Sequence, residues 1–170
     1  RSLLEIIFNY LVRWLAPSLS FTTEEAWKAM GNQTSIHLED FLHTPAKYEN
    51  LEINENWKII KQIRKVITGA LEIKRAEKLI GSSLEAHVDI YVESETLEKI
   101  KNYPLDEISI TSSFSLHVLT NDSQGFSLED VADIKIAVSK TNGQKCQRCW
   151  KYKEQLIRNE ICERCDNAIA

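Results

Sequence analysis

The apolar positions of the chain change period part-way along. From Leu3 to Leu15, LLEIIFNYLVRWL, they cover most of a helix, which Pro17 ends because proline has no amide hydrogen and clashes with the preceding turn. A second helix is expected in FTTEEAWKAMG, with Thr22 as cap, Glu25 closing a capping box three residues on, and Gly31 as the stop. Glu24 and Glu25 then read as helix-start residues, where the helix dipole favours carboxylates. The segment NQTSIHLEDFLHTPAKYEN holds turn formers and no sustained period, so it reads as a connection. From Asn56 a long helix is predicted, with Ile60, Ile63, Ile67, Ala70 and Leu71 recurring at helical spacing and Gly81 ending it. Trp14, Trp27 and Trp57 fall on apolar helix faces and are expected in the core.

After Gly81 the period shortens to two. Leu84, Ala86, Val88, Ile90 and Val92 alternate with Glu85, His87, Asp89, Tyr91 and Glu93, the pattern of a half-buried strand. A short helix, ETLEKIKNY, follows, then alternating runs through Ile108, Ile110, Phe114, Leu116 and Val118, and through Ile134, Ile136 and Val138. Strand, helix, strand, strand suggests a small layer in which the helix covers one sheet face. The expected fold is mainly α with a small α+β part: a helical bundle over residues 1–81, an α/β junction over 82–140 and a terminal module over 141–170.

With 170 residues, 43% of them hydrophobic, the chain can bury an ordinary core and is not a disordered tail. Its net charge of −4 argues against a protein that coats nucleic acid over its whole surface, but the charge is segregated. Asp122, Glu129, Asp130 and Asp133 form an acidic stretch, whereas Ile134 to Lys153 carries Lys135, Lys140, Lys145, Arg148, Lys151 and Lys153 without an acid. The opening apolar stretch contains Glu5, Asn9 and Arg13 and is too short to span a bilayer, so no membrane association is expected and a reducing cytoplasm is the default compartment. A start at Arg1 inside an apparent helix suggests a piece of a longer protein.

All four cysteines lie in the terminal module: Cys146 and Cys149, then, twelve residues on, Cys162 and Cys165. A two-residue gap lets both sulfurs of a pair face one point, and two such knuckles complete a tetrahedron around Zn²⁺. Four thiolates leave no open position for water, so the zinc would be structural, one ion per chain. The surrounding Lys145, Arg148, Lys151 and Lys153 would offset the charge of a thiolate site. Two disulfides or an iron–sulfur cluster are the other uses of four cysteines, and a redox use of the C-x2-C pairs is a further one. A module this small has little core, so metal binding should supply most of its folding free energy.

Arg148 and Trp150 sit where a knuckle displays side chains, a guanidinium for phosphate or base edges and an indole for stacking on an unpaired base. Packing of Trp150 into the module's own core is the alternative. Lys58, Lys61, Arg64 and Lys65 could track an RNA backbone or form a solvated helix face, and Lys74, Arg75 and Lys78 carry the same ambiguity. The histidines His37, His43, His87 and His117 are dispersed and receive no role.

CQRCWKY followed by ICERC resembles the C-terminal zinc module of bacterial isoleucyl-tRNA synthetases, and ALEIKRAEKLIGSSLEAHVDIYV resembles the segment leading into it. LAPSLSFTTEEAW with SIHLEDF is similar to the helical anticodon-binding domain that these enzymes share with valyl- and leucyl-tRNA synthetases, so the resemblance covers nearly the whole chain. It implies a bundle that receives the anticodon stem and loop, a junction, and a zinc module that closes over the anticodon of tRNA-Ile, with Arg148 and Trp150 meeting the anticodon and Lys145, Lys151 and Lys153 as further candidates for tRNA contact. It implies a parent enzyme, monomeric and cytoplasmic, that uses ATP and Mg²⁺ in catalytic domains outside this chain. Neither an HIGH nor a KMSKS signature nor a phosphate-cradling glycine loop is present, so the chain by itself should have no catalytic centre. A free-standing zinc module that mediates protein contacts is the alternative reading.

Overall fold

The computed structural model describes residues 2–169, apart from the side chain at position 159, and divides into two compact units, Arg1–Asn50 and Leu51–Ala170. In the first, helix α1 (Ser2–Leu15) meets α2 (Ser20–Ala29), and two short 3-10 turns, Ile36–Leu38 and Ala46–Tyr48, follow. Val12, Ala16, Trp27 and Ile36 form its core with Phe8 packed against them. Val12 and Ala16 are four residues apart and share one helix face, while Trp14, on the opposite side, is 54% exposed and lies outside that core, contrary to expectation. Trp27 is buried as expected; its indole N–H donates to the Thr34 carbonyl at 3.1 Å, and the buried Arg13 guanidinium lies 4.7 Å from its ring while pairing with Glu39 at 2.9 Å.

The expected capping box does not form. Helix α2 begins at Ser20, two residues before Thr22, and Leu19 at its N-cap supplies no side-chain bond. Glu24 instead reaches out of the helix to accept from the Ser35 hydroxyl and the Ile36 amide, both at 2.9 Å, which pins the connecting segment to α2.

In the second unit, α3 (Leu51–Ala76) begins five residues before the expected Asn56 and runs through the predicted apolar stripe. Ile60, Ile63, Val66, Ile67, Ala70 and Leu71 are all buried against a four-stranded sheet whose order is β2 (Ser113–Val118), β1 (Ala86–Val92), β4 (Val131–Lys140), β3 (Phe126–Leu128). Strand β1 (Ala86–Val92) keeps its period: Ala86, Val88, Ile90 and Val92 are buried, and His87, Asp89 and Tyr91 face the other way, half-buried. Leu84 belongs to a 3-10 turn before the strand. Helices α4 (Ser94–Ile100) and α5 (Leu105–Ile108) carry the chain over to β2 (Ser113–Val118), parallel to β1, and set Ile100 and Leu105 into the same core. Ile108 and Ile110, expected in a strand, fall in α5 and the turn after it.

Strand β4 (Val131–Lys140) runs antiparallel to β1 and buries Ile134, Ile136 and Val138 as predicted. Strand β3 (Phe126–Leu128) lies inside the acidic stretch that carried no strand signal. Helices, mixed sheet and cysteine cluster are thus all present, but the largest core is built on the sheet, where α3 buries its stripe within the unit Leu51–Ala170. Trp57, expected in the core, is 37% exposed and sits edge-on to Tyr103. Among the described residues no helix is long and apolar enough to cross a membrane.

Candidate metal centre and nucleic-acid interface

A two-stranded ribbon, β5 (Gln144–Lys145) with β6 (Tyr152–Lys153), carries the first knuckle at its tip. The turn closes through Cys146 N–H to the Lys151 carbonyl and Trp150 N–H to the Cys146 carbonyl, both at 2.9 Å. The second knuckle is a bridge between Ile157 and Ile161 followed by α6 (Glu163–Asn167), where the Cys165 and Asp166 amides donate to the Cys162 carbonyl. Arg158 braces this turn with a two-pronged contact to Asp166 at 2.5 and 3.1 Å. The Gln147 amide donates to the Glu160 carbonyl at 3.1 Å and so joins the knuckles.

This geometry brings Cys146, Cys149, Cys162 and Cys165 together, with all four sulfurs within 4.8 Å of one another. A tetrahedral site with metal–sulfur bonds of about 2.3 Å sets its sulfurs about 3.8 Å apart. Cys149 and Cys162 are at 3.8 Å, and no cysteine is disulfide-bonded. Burial opposes ionisation at Cys146, but the amides of Cys149, Cys162 and Arg148 aimed at its sulfur outweigh it and hold that thiol down to about 6. At Cys149 burial dominates, the neighbouring sulfurs add to it, and the thiol is pushed up to about 12. The Cys146 thiolate is therefore favoured and the Cys149 thiolate opposed, an opposition that a soft cation at the common centre relieves. The four residues could hold a metal ion.

Around this centre the sequence-predicted contact residues divide. Arg148 is exposed and makes no side-chain hydrogen bond or ion pair among the described residues. Trp150 is 58% exposed, holds a left-handed backbone with φ 64°, and has the Lys145 ammonium 5.4 Å from its ring centre. It does not belong to the module's own core, which consists of Cys146, Ile161, Cys162 and Cys165 with Cys149 and Leu156 against them. Lys153 is half-buried, its ammonium 3.3 Å from the Ser112 carbonyl.

Lys151 has to be taken out of the accessible set. Its side chain is 7% exposed and its ammonium is held by Asp106 at 2.8 Å and Glu107 at 2.7 Å, so it is not free to meet a phosphate. No sequence signal links it to acids some 45 positions away. On α3, Lys61 is exposed and unpaired among the described residues. Lys58 and Lys65 form surface pairs with Glu55 and Asp130, and the Arg64 Nε donates to the Ile108 carbonyl. Pairs this exposed are weak and exchange readily. The histidines given no role include two that meet on the outer face of the sheet: His117 Nε2 is 2.8 Å from Asp89 and its ring stacks on Tyr91, while His87 bonds Ser113. The i, i+2 spacing of His87 and Asp89 on β1 was the available signal, while His117 comes from the neighbouring β2.

Residues 1–90 match the family described as the anticodon-binding domain of tRNA ligase. The chain belongs to that family of tRNA-ligase anticodon-binding domains. Among its relatives are isoleucine--tRNA ligases of Bartonella henselae, 43% identical over 152 residues, and of Ruegeria pomeroyi, 37% identical over 175. That of Brucella suis is 40% identical over 148. These alignments cover 88%, 99% and 86% of this chain but only 16%, 18% and 15% of the relatives, so the chain spans less than a fifth of their length.

Proposed function

We propose that this chain is the C-terminal, anticodon-binding part of an isoleucine--tRNA ligase. In this reading residues 1–81 receive the anticodon stem and loop, 82–140 form a junction and 141–170 a module that closes over the anticodon of tRNA-Ile. The observation that carries it is the four-sulfur cluster with an exposed Arg148 that has no side-chain partner among the described residues and an exposed Trp150 on its first knuckle. Cys146, Cys149, Cys162 and Cys165 hold one structural Zn²⁺, which supplies cross-linking of the two knuckles and no reaction chemistry.

Trp150 offers an indole face to an unpaired base, and Arg148 offers planar donors to a phosphate or base edge. Lys145 and Lys153 add local positive charge, and Lys58, Lys61, Arg64 and Lys65 line a weaker path for the RNA backbone. Aminoacylation with ATP and Mg²⁺ takes place in domains outside this chain, in a monomeric cytoplasmic enzyme. Contacts at the anticodon contribute by orienting the acceptor end far from where they act. The test is metal analysis together with a titration of tRNA-Ile against a tRNA with an altered anticodon. One zinc per chain, and an affinity that falls with salt and with anticodon change, supports the reading; binding indifferent to both returns the chain to a module for protein contacts.

A further inference from the structure

We infer that the buried contact of Lys151 with Asp106 and Glu107 is a strut that sets the orientation of Trp150 for RNA, making the two acids positioning residues although they never touch RNA. The inference rests on the reading of Trp150 as an RNA contact.

Trp150 lies between two fixed points. On one side Cys149 belongs to the sulfur cluster; on the other Lys151 is anchored by its ammonium to α5 and by its carbonyl to the Cys146 amide at 2.9 Å. The next residue is fixed as well, since the Tyr152 amide donates to the Ser112 hydroxyl at 2.6 Å. A bulky side chain at φ 64° is held there by its surroundings rather than by its own preference. The same acid pair reaches the second knuckle, because Arg164 on α6 donates to Glu107 at 2.8 Å. Both knuckles are thus registered against α5 by one carboxylate cluster. A buried ion pair is sensitive to geometry, and fixing register is its best-attested use. With 7% of its side chain exposed, Lys151 acts inward and not on a phosphate.

The sign of the effect separates this from plain electrostatics. Removing an acid beside an RNA site should tighten RNA binding, whereas loss of the strut should weaken it. The test titrates the zinc-loaded chain with an anticodon stem-loop of tRNA-Ile, comparing Asp106→Asn, Trp150→Ala and the double variant. The expected result is unchanged zinc content, affinity lowered at least about fivefold by Asp106→Asn, the lower end of what one lost stacked base costs, and little further loss when Trp150→Ala is added. The slope of affinity against salt should stay the same, because no phosphate contact is removed. Tighter or unchanged binding by Asp106→Asn, or equal losses with and without Trp150, overturns the strut while leaving the proposed function standing. Unchanged binding by Trp150→Ala alone overturns the reading on which the strut rests. Should Asp106→Asn lower zinc content, Glu107→Gln is read in its place, and zinc loss in both overturns the inference, since the acids would then serve the cluster and not the orientation.

Discussion

The Cys149 and Cys162 sulfurs stand 3.8 Å apart across thirteen positions of sequence. The approach is held by the backbone as well as by the side chains, since the Cys162 amide points at the Cys146 sulfur at 3.3 Å. An amide aimed at a sulfur favours its thiolate form, so the chain presents ligands already turned to their common point.

Replacing Cys162 with Ser should therefore release the metal and unfold the tail. Among the described residues the module's core contains one buried aliphatic side chain, Ile161, with Leu156 partly buried against it, which is too little apolar surface to hold some 25 residues together. A structural ion contributes on the order of 10 kcal/mol to folding in knuckles of this kind. Metal analysis should show occupancy well below that of the parent chain, and limited proteolysis should cut within 141–170 while the sheet unit survives. A tail that stays protease-resistant without metal refutes this account.

Gly143, at the start of the ribbon, allows a second test. Its φ of 130° suits glycine alone, and a Cβ there would sit 2.5 Å from the Lys153 carbonyl oxygen, an atom of the paired strand that cannot swing away. Gly143→Ala should cost about 1–3 kcal/mol, the usual range for such backbone strain. Because β5 and β6 carry the first knuckle, the loss should surface as weaker zinc retention against a competing chelator, with the melting of the sheet unit little changed.

What the sequence disclosed follows from the range of each interaction. The cysteine spacing, the stripe Ile60, Ile63, Ile67, Ala70 and Leu71, and the alternation at Ala86 to Val92 are local signals; the structure brings the four sulfurs together, buries the stripe and buries Ala86, Val88, Ile90 and Val92 as read. Thr22 failed as a cap because Pro17 is followed at once by a tight turn: the Ser18 and Leu19 amides already bond the Leu15 carbonyl, so the helix starts at Ser20. Strand β3 is only three residues long and owes its place to pairing with β4, which no window of its own sequence reveals. Lys151 looked like part of a basic patch because its partners Asp106 and Glu107 come from another element of the fold. Local pattern singled out the four cysteines that meet, and long-range pairing decided which cations lack a partner among the described residues.

Glu24 supplies a prediction for pH. The Ile36 amide chiefly, with Lys28 and the Ser35 hydroxyl, stabilises its carboxylate and lowers its pKa from the ordinary 4.5 to about 2. A folded-state pKa below the unfolded value means that the stabilisation is fully present above about 4.5 and is lost as pH falls from there through about 2. The Ile36 amide resonance, followed by NMR during acidification, should shift with a midpoint near the lower value, and Glu24→Gln should abolish the step. A midpoint near 4.5 would mean that the contact does not persist in solution.

Trp150 and Arg148 should fail in different ways when removed, because one offers a ring and the other a charge. Trp150→Ala deletes a stacking surface that is 58% exposed and outside the module's core, so zinc content should be retained while anticodon stem-loop affinity falls by about 1–3 kcal/mol. Its salt slope should hold, since no ionic contact is lost. Arg148→Ala removes an exposed cation with no partner among the described residues, and if that cation meets a phosphate the slope should drop by about 0.7 for single-stranded RNA. Lys145 lies over the Trp150 ring, 5.4 Å from its centre, so its charge stands beside any base that stacks there. Lys145→Ala should then lower both slope and affinity, and by less than Trp150→Ala in affinity. If Trp150→Ala flattens the slope and Arg148→Ala leaves it intact, the two roles have been assigned the wrong way round.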